Sequence, residues 1–176
     1  DYKQDLASLY IRLEKYNDAL KLLDELDSKL GYNEDRDYLR NQVYNLTGDD
    51  KERIENLEER VQSNPEDESA YLRLIFRYSE TGKTDRAFAA AKRLLKLNPD
   101  SQLVHLALYK FYLNNLQVED AINSMKIVLN SSVIKPEAKT KVLNDFVKFV
   151  STNPEYEKDL IEITTLISED KSVKTL

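Results

Sequence analysis

Tyr10, Tyr44, Tyr78, Tyr112 and Phe146 stand 34 residues apart along the chain. Other columns keep the same step. They include Leu6, Leu74, Leu108 and Val142; Ala19, Ala87 and Ala121; Val61, Leu95 and Leu129; Gly48 and Gly82; Pro65 and Pro99. A fixed period in this range implies stacked copies of one small unit. Each copy buries an apolar face on its neighbours because it cannot bury that face alone.

The unit is clearest between Tyr71 and Pro99. Tyr71, Leu74, Ile75 and Tyr78 are spaced by three and four, which makes one face of a helix. Gly82 can take the left-handed backbone that closes it. A second helix follows, with Ala87, Phe88, Ala91, Leu94 and Leu95 on one side, and Asn98-Pro99 ends it because proline lacks the N–H the ladder needs. Carried along the chain, the step predicts five helix pairs in one domain, in units of about 1–33, 34–67, 68–101, 102–135 and 136–169. The predicted helices run about 2–14 with 17–30, 35–46 with 50–63, 68–80 with 84–97, 101–114 with 118–130, and 136–151 with 155–168. Glu14-Lys15 forms the first bend; Asn33 or Asp35, Asp67 or Ser69, and Asp100 or Ser101 are the caps of later pairs. Residues 170–176 are expected to be a tail or the start of a sixth unit, since Leu176 lies 34 residues past Val142. The chain therefore reads as a piece of a longer repeat protein.

A helix–turn–helix unit of this length carrying Tyr71, Leu74, Tyr78, Gly82, Ala87 and Pro99 resembles the tetratricopeptide repeat. The stretch 102–135 is similar through Leu108, Tyr112, Ala121 and Ile122, and 1–33 through Leu6, Ala7, Tyr10, Tyr16 and Ala19. The resemblance implies an all-α fold, a right-handed α-solenoid of about five helix–turn–helix repeats. Departures are specific. Asn41, Ile75 and Tyr109 stand where the family places the small residue that Ala7 supplies. Arg53 and Arg60 replace small apolar residues, Val150 occupies the glycine column, and Pro154 falls early in the last helix. The unit at 34–67 departs most.

The same resemblance implies a function: first helices line a concave surface that takes an extended peptide or a partner helix. The protein would be a scaffold or adaptor without catalysis or cofactor. The candidate lining is Tyr38, Gln42, Leu72, Arg73, Phe76, Leu106, Lys110, Leu113 and Asn114. Leu72, Phe76, Leu106 and Leu113 are expected to form an apolar patch, with Arg73 and Lys110 at its edge; such a patch suits an amphipathic or hydrophobic segment. Family members that clamp the C-terminal carboxylate of heat-shock chaperones use Lys and Asn, then Asn, then Lys and Arg on successive first helices. Here those places hold Gln4 and Ser8, Leu39, then Ser69 and Arg73, so no such clamp is expected. Two other readings are a non-catalytic module of a larger enzyme and an RNA-binding helical repeat.

Charge weighs against nucleic acid. The formal net charge is −6, where a phosphate-binding surface needs a basic face. It is uneven, −9 over residues 1–68 and +3 over 69–176, a gradient that could orient a partner. There are 0 cysteines, so neither disulfides nor thiolate metal sites can form. No apolar run reaches the roughly 18 residues of a membrane span. Gly82-Lys83-Thr84 lacks the upstream glycine of a phosphate loop, with Arg77 in its place. His105, the single histidine, has no second histidine or cysteine for a metal and no evident serine or carboxylate partner for a triad. Glu34-Asp35-Asp37 and Asp49-Asp50-Glu52 fit helix starts, where the helix dipole favours negative charge, better than a calcium loop. Asn45-Leu46-Thr47 and Asn130-Ser131-Ser132 match the glycosylation pattern, and Lys174-Thr175-Leu176 a peroxisomal ending, as coincidences of short motifs.

Overall fold

A computed structural model describes residues 2–173, with side-chain surroundings described for residues 2–165. The terminal Lys174-Thr175-Leu176 motif, and with it the sixth-unit reading at Leu176, lies outside the described residues. Among those described there are ten α-helices, one short 3-10 turn and no strand. In order they are α1 (Tyr2–Arg12), α2 (Tyr16–Leu30), α3 (Glu34–Thr47), α4 (Asp50–Ser63), α5 (Glu68–Glu80), α6 (Thr84–Leu97), α7 (His105–Asn114), α8 (Val118–Asn130), α9 (Pro136–Thr152), the 3-10 turn (Pro154–Tyr156) and α10 (Glu157–Val173).

The backbone keeps the period more faithfully than the side chains do. The helices α2, α4, α6 and α8 begin at Tyr16, Asp50, Thr84 and Val118, each 34 residues after the last. Two residues before each start the chain turns left-handed, at Glu14 (φ 58°), Gly48 (68°), Gly82 (74°) and Leu116 (56°). Three of these turns close alike: the Tyr10, Tyr78 and Tyr112 carbonyls accept from the Lys15, Lys83 and Gln117 N–H at 2.8, 2.7 and 2.9 Å. Bonds reaching back over the last turn satisfy carbonyls that a helix end leaves open. Only two of the four turns have the glycine that this backbone favours.

The fifth position breaks the pattern. Val150 lies inside α9, and the helix runs on to Thr152. A β-branched residue is poorly suited to a left-handed turn, so the helix continues where the others stop. Pro154 then opens the 3-10 turn, and α10 begins later than the sequence predicts and continues to Val173 instead of stopping near 168. Residues 170–173 of the expected tail thus lie within α10, and 174–176 lie outside the described residues. Helix α7 also starts late, at His105, because Ser101 caps a preceding turn, its Oγ accepting from Val104 N–H at 3.4 Å.

Contacts divide the chain into two compact units, Asp1–Asn56 and Leu57–Leu176. In the first, α1 packs on α2 and α3, and α2 packs on α3. Ile11, Ala19, Leu20, Val43 and Tyr44 form its core, with Tyr10, Tyr16 and Leu39 at the margin. Asn33 caps α3, accepting from the N–H of Asp35 (2.9 Å) and Arg36 (3.2 Å). The departures from the repeat pattern are paired here. Arg53 reaches Asn41 Oδ1 at 2.6 Å and Asn45 Oδ1 at 3.1 Å, so a hydrogen bond stands where Ala7 and Ala19 columns meet elsewhere. Arg36 and Arg40, both buried, share Asp27 at 2.5 and 3.0 Å, and Arg40 also meets Asp24 at 2.8 Å. Burial opposes the Arg40 charge, but the bonds and charges of Asp24 and Asp27 outweigh it and raise its pKa. The acidic run at Asp49–Glu52 caps α4: Asp49 accepts from Glu52 N–H at 2.9 Å, while burial, then Asp49, Asp24 and Glu55, raise the Glu52 pKa.

In the second unit neighbouring helices pack in sequence, α5 with α6, α6 with α7 and α7 with α8, while α9 meets α7, α8 and α10. Met125, Val128, Val142, Phe146 and Ile163 anchor a core cluster in it. Asp67 caps α5 through Ala70 N–H at 3.0 Å and also holds Arg60 at 2.6 Å, which accounts for an arginine in the column of Leu94 and Val128. Phe88 of α6 meets Phe111 and Tyr112 of α7 with centroids 5.5 and 5.6 Å apart, an edge-type contact that ties one helix pair to the next.

Candidate protein-binding groove

Along α5, Leu72, Phe76 and Ser79 recur at helical spacing away from the Tyr71, Leu74 and Tyr78 side that enters the core. Along α7, Leu106, Lys110 and Asn114 do the same. The two stripes and α9 residues Ala138, Lys141 and Val142 line one groove of 690 Å³ in the second unit. Its floor is apolar, through Ile75, Leu103, Ala107 and Tyr109. Phe76 is 55% exposed, an unusual state for a large aromatic ring on a helix.

Polar groups gather at one edge. Tyr109 donates to Asp145 Oδ2 at 2.8 Å, and the same oxygen lies 3.9 Å from Lys110 Nζ. Burial, with Asp145 adding to it, raises the Tyr109 pKa, so this hydroxyl stays a donor at neutral pH. At the other edge Glu80 is engaged by Arg77 at 2.7 Å. Lys110 and Lys141 are thus the cations facing the apolar floor.

Of the nine residues chosen from sequence, Leu72, Phe76, Leu106, Lys110 and Asn114 share this groove. Arg73 is half-buried on α5 and does not line it. Tyr38 and Gln42 are exposed one turn apart on α3 in the first unit. Leu113 is a correction: it is 6% exposed and belongs to the core cluster with Val118, Ala121 and Phe146. It follows Tyr109 by one turn into the core, whereas Asn114 follows Lys110 into the groove. The α9 contribution was missed. Stepping 34 residues from Leu106 and Lys110 reaches Thr140 and Asn144, and neither lines the groove.

His105 has a partner that sequence reasoning did not find. Its Nδ1 lies 3.1 Å from Ser124 Oγ, and both residues are buried. Burial lowers the His105 pKa, so the ring is neutral at pH 7. The pair bridges α7 and α8 within the core, and no carboxylate joins it among the described residues. No group of three or more His, Cys, Asp or Glu among the described residues could hold a metal ion. No described helix is long and apolar enough to cross a membrane.

The family model described as tetratricopeptide repeat matches residues 23–160, most of the chain. The chain belongs to the tetratricopeptide-repeat family. Its fold is the all-α helical-repeat solenoid, and such repeats are protein-interaction modules. A solved tetratricopeptide-repeat structure shares the fold: TTC0263, a thermophilic TPR protein in Thermus thermophilus, has a TM-score of 0.52 at 19% identity, covering 93% of this chain and 96% of that one. The structure described as MamA MSR-1 C2 has a TM-score of 0.48 at 20% identity, covering 93% and 97%. No curated protein matches the chain.

Proposed function

We propose that this tetratricopeptide-repeat chain acts as a scaffold or adaptor, holding a segment of another protein in the groove between α5, α7 and α9. The observation that carries the reading is the apolar floor under an exposed Phe76, with Lys110 and Lys141 at its edge. The segment would be helical or extended, seat apolar side chains on Leu72, Phe76 and Leu106, and set acidic residues against the lysines. No catalytic step is assigned to the groove. A carboxylate already near Lys110 orients it without neutralising the wider patch.

Selection of binders from a displayed peptide library on the full chain tests this. Enriched peptides should combine apolar residues with acidic flanks. Phe76→Ala and Leu106→Ala should each weaken them about tenfold, in line with one lost buried apolar side chain. Lys110→Glu should select against the acidic flank. Enrichment of peptides that are insensitive to all three substitutions would overturn the assignment of the groove, though not the family.

A further inference from the structure

A second pocket, of 390 Å³, is formed by α4, α5 and α6, apart from the groove. Helix α6 gives it Arg86, Ala89, Ala90 and Arg93, a stripe at i, i+3, i+4 and i+7 on one helical face. Two arginines about 10 Å apart along the axis therefore flank a low floor of alanines. Arg93 is exposed, has no carboxylate partner among the described residues, and lies over the Tyr71 ring at 5.8 Å. Arg86 approaches Glu58 only to 3.6 Å, beyond a good hydrogen bond.

The independent observation lies in the pocket wall. Tyr71 is 1% exposed, and its hydroxyl has no hydrogen-bond partner. Buried donors are nearly always satisfied, so an orphan in a pocket wall that also holds two arginines points to a group supplied from outside. We propose that this pocket takes acidic side chains of a protein segment in helical form. Arg93 swings off the ring, and with the Tyr71 hydroxyl it holds one carboxylate. Arg86 meets a second carboxylate two turns along, and the alanines let the backbones approach. A carboxylate fits better than a phosphate because Glu58, which accepts from the Tyr78 hydroxyl, already places a negative charge beside Arg86. Charge complementarity selects the occupant: the pocket's two exposed cations are two turns apart, the repeat at which a partner helix presents one face.

The test uses the full chain and a fluorescein-labelled alanine-rich helical peptide with glutamates seven positions apart, beside its glutamine twin. Glutarate and inorganic phosphate serve as competitors. The glutamate peptide should bind at least about tenfold tighter than the twin, and Arg93→Gln and Arg86→Gln should each cost about tenfold. Tyr71→Phe should weaken binding several-fold while the Tm of the free protein holds or rises, because it removes an unsatisfied hydroxyl. Phe76→Ala should leave this binding unchanged, which separates the pocket from the groove. Equal binding of both peptides, an Arg93→Gln variant that binds normally, or a Tyr71→Phe variant that loses Tm but not affinity would overturn the proposal. So would displacement by glutarate or phosphate at concentrations equal to the peptide's, which would mark a small-anion site.

Discussion

The same three columns of the repeat are filled by opposite chemistries in the two compact units. In the second unit Ala70 and Leu74 of α5, Val104 and Leu108 ahead of and on α7, and Leu95 or Leu129 are apolar or small. In the first unit the matching places hold Arg36, Arg40 and Asp27, joined as one ionic triad in which both arginines are buried and Asp27 is half-buried. The three places differ as a set: each arginine, wrong for its column when taken singly, meets a carboxylate, Arg36 at Asp27 and Arg40 at Asp27 and Asp24. A helix interface can be closed by dispersion and area or by paired charges, and the two respond differently when one member is removed.

Three variants press on that difference. Asp27→Ala should have the largest effect, a loss of about 3 kcal/mol, because buried Arg36 loses its carboxylate partner while Arg40 keeps Asp24. Asp24→Ala, whose carboxylate is 58% exposed, should cost only about 0–1 kcal/mol. Urea unfolding of both variants checks this, and equal losses would break the triad account. Replacing the triad together, as D27V/R36A/R40L, should be neutral or stabilising by about 1–4 kcal/mol, since it rebuilds the apolar version found in the second unit.

Next come the left-handed turns, where each unit has one glycine and one larger residue. Gly48→Ala and Gly82→Ala should each cost about 1 kcal/mol, because an added Cβ meets no atom within 4 Å and only the positive φ resists it. Leu116→Gly should gain about 0.5–1 kcal/mol for the converse reason, less the extra chain entropy of glycine. Thermal melts of the three variants suffice, and a destabilised Leu116→Gly would show that its exposed side chain has contacts worth more than the turn strain.

The smallest effects are with pH. Burial, then its bond to Glu58, pushes the Tyr78 pKa up to about 12. The unfolded chain ionises at about 10 while the fold keeps this hydroxyl neutral, so its stability is full below pH 10 and lost as pH rises toward 12. Tyr78→Phe should flatten that decline in the second unit without touching the one from Tyr44, which burial also raises, in the first. His105 works in the other direction. Its lowered pKa means stability is present above about 6.5 and falls as pH drops through that value, because the unfolded chain takes up the proton first. Urea midpoints at pH 7.5 and 5.5 should converge in His105→Gln.

Much of the fold was legible because a period repeats each packing decision several times. The helix pairs, the caps at Asn33 and Asp67 and the end of α6 at Asn98 follow from local rules. Leu72, Phe76, Leu106 and Lys110 were legible as one candidate surface because they lie off the core stripe, and they line one groove. Leu113 was misplaced because positions one residue apart on α7 diverge by about 100°, and only packing against α8 and α9 says which of Leu113 and Asn114 goes inward. Lys141 and Val142 were missed because they continue the columns of Ala107 and Leu108, which read as core-side positions, and only the packing of α9 on α7 brings them to the groove.

What the chain alone determined was the period, the helices and the core stripe of most of them, because these depend on residues within a few turns of one another. What required the assembled structure was every pairing across helices: Asp27 with Arg36 and Arg40, Arg53 with Asn41, His105 with Ser124, and the unpartnered Tyr71 hydroxyl. A polar residue in an apolar column is ambiguous in one dimension, since the cost of burying it depends on whether a partner arrives from another helix.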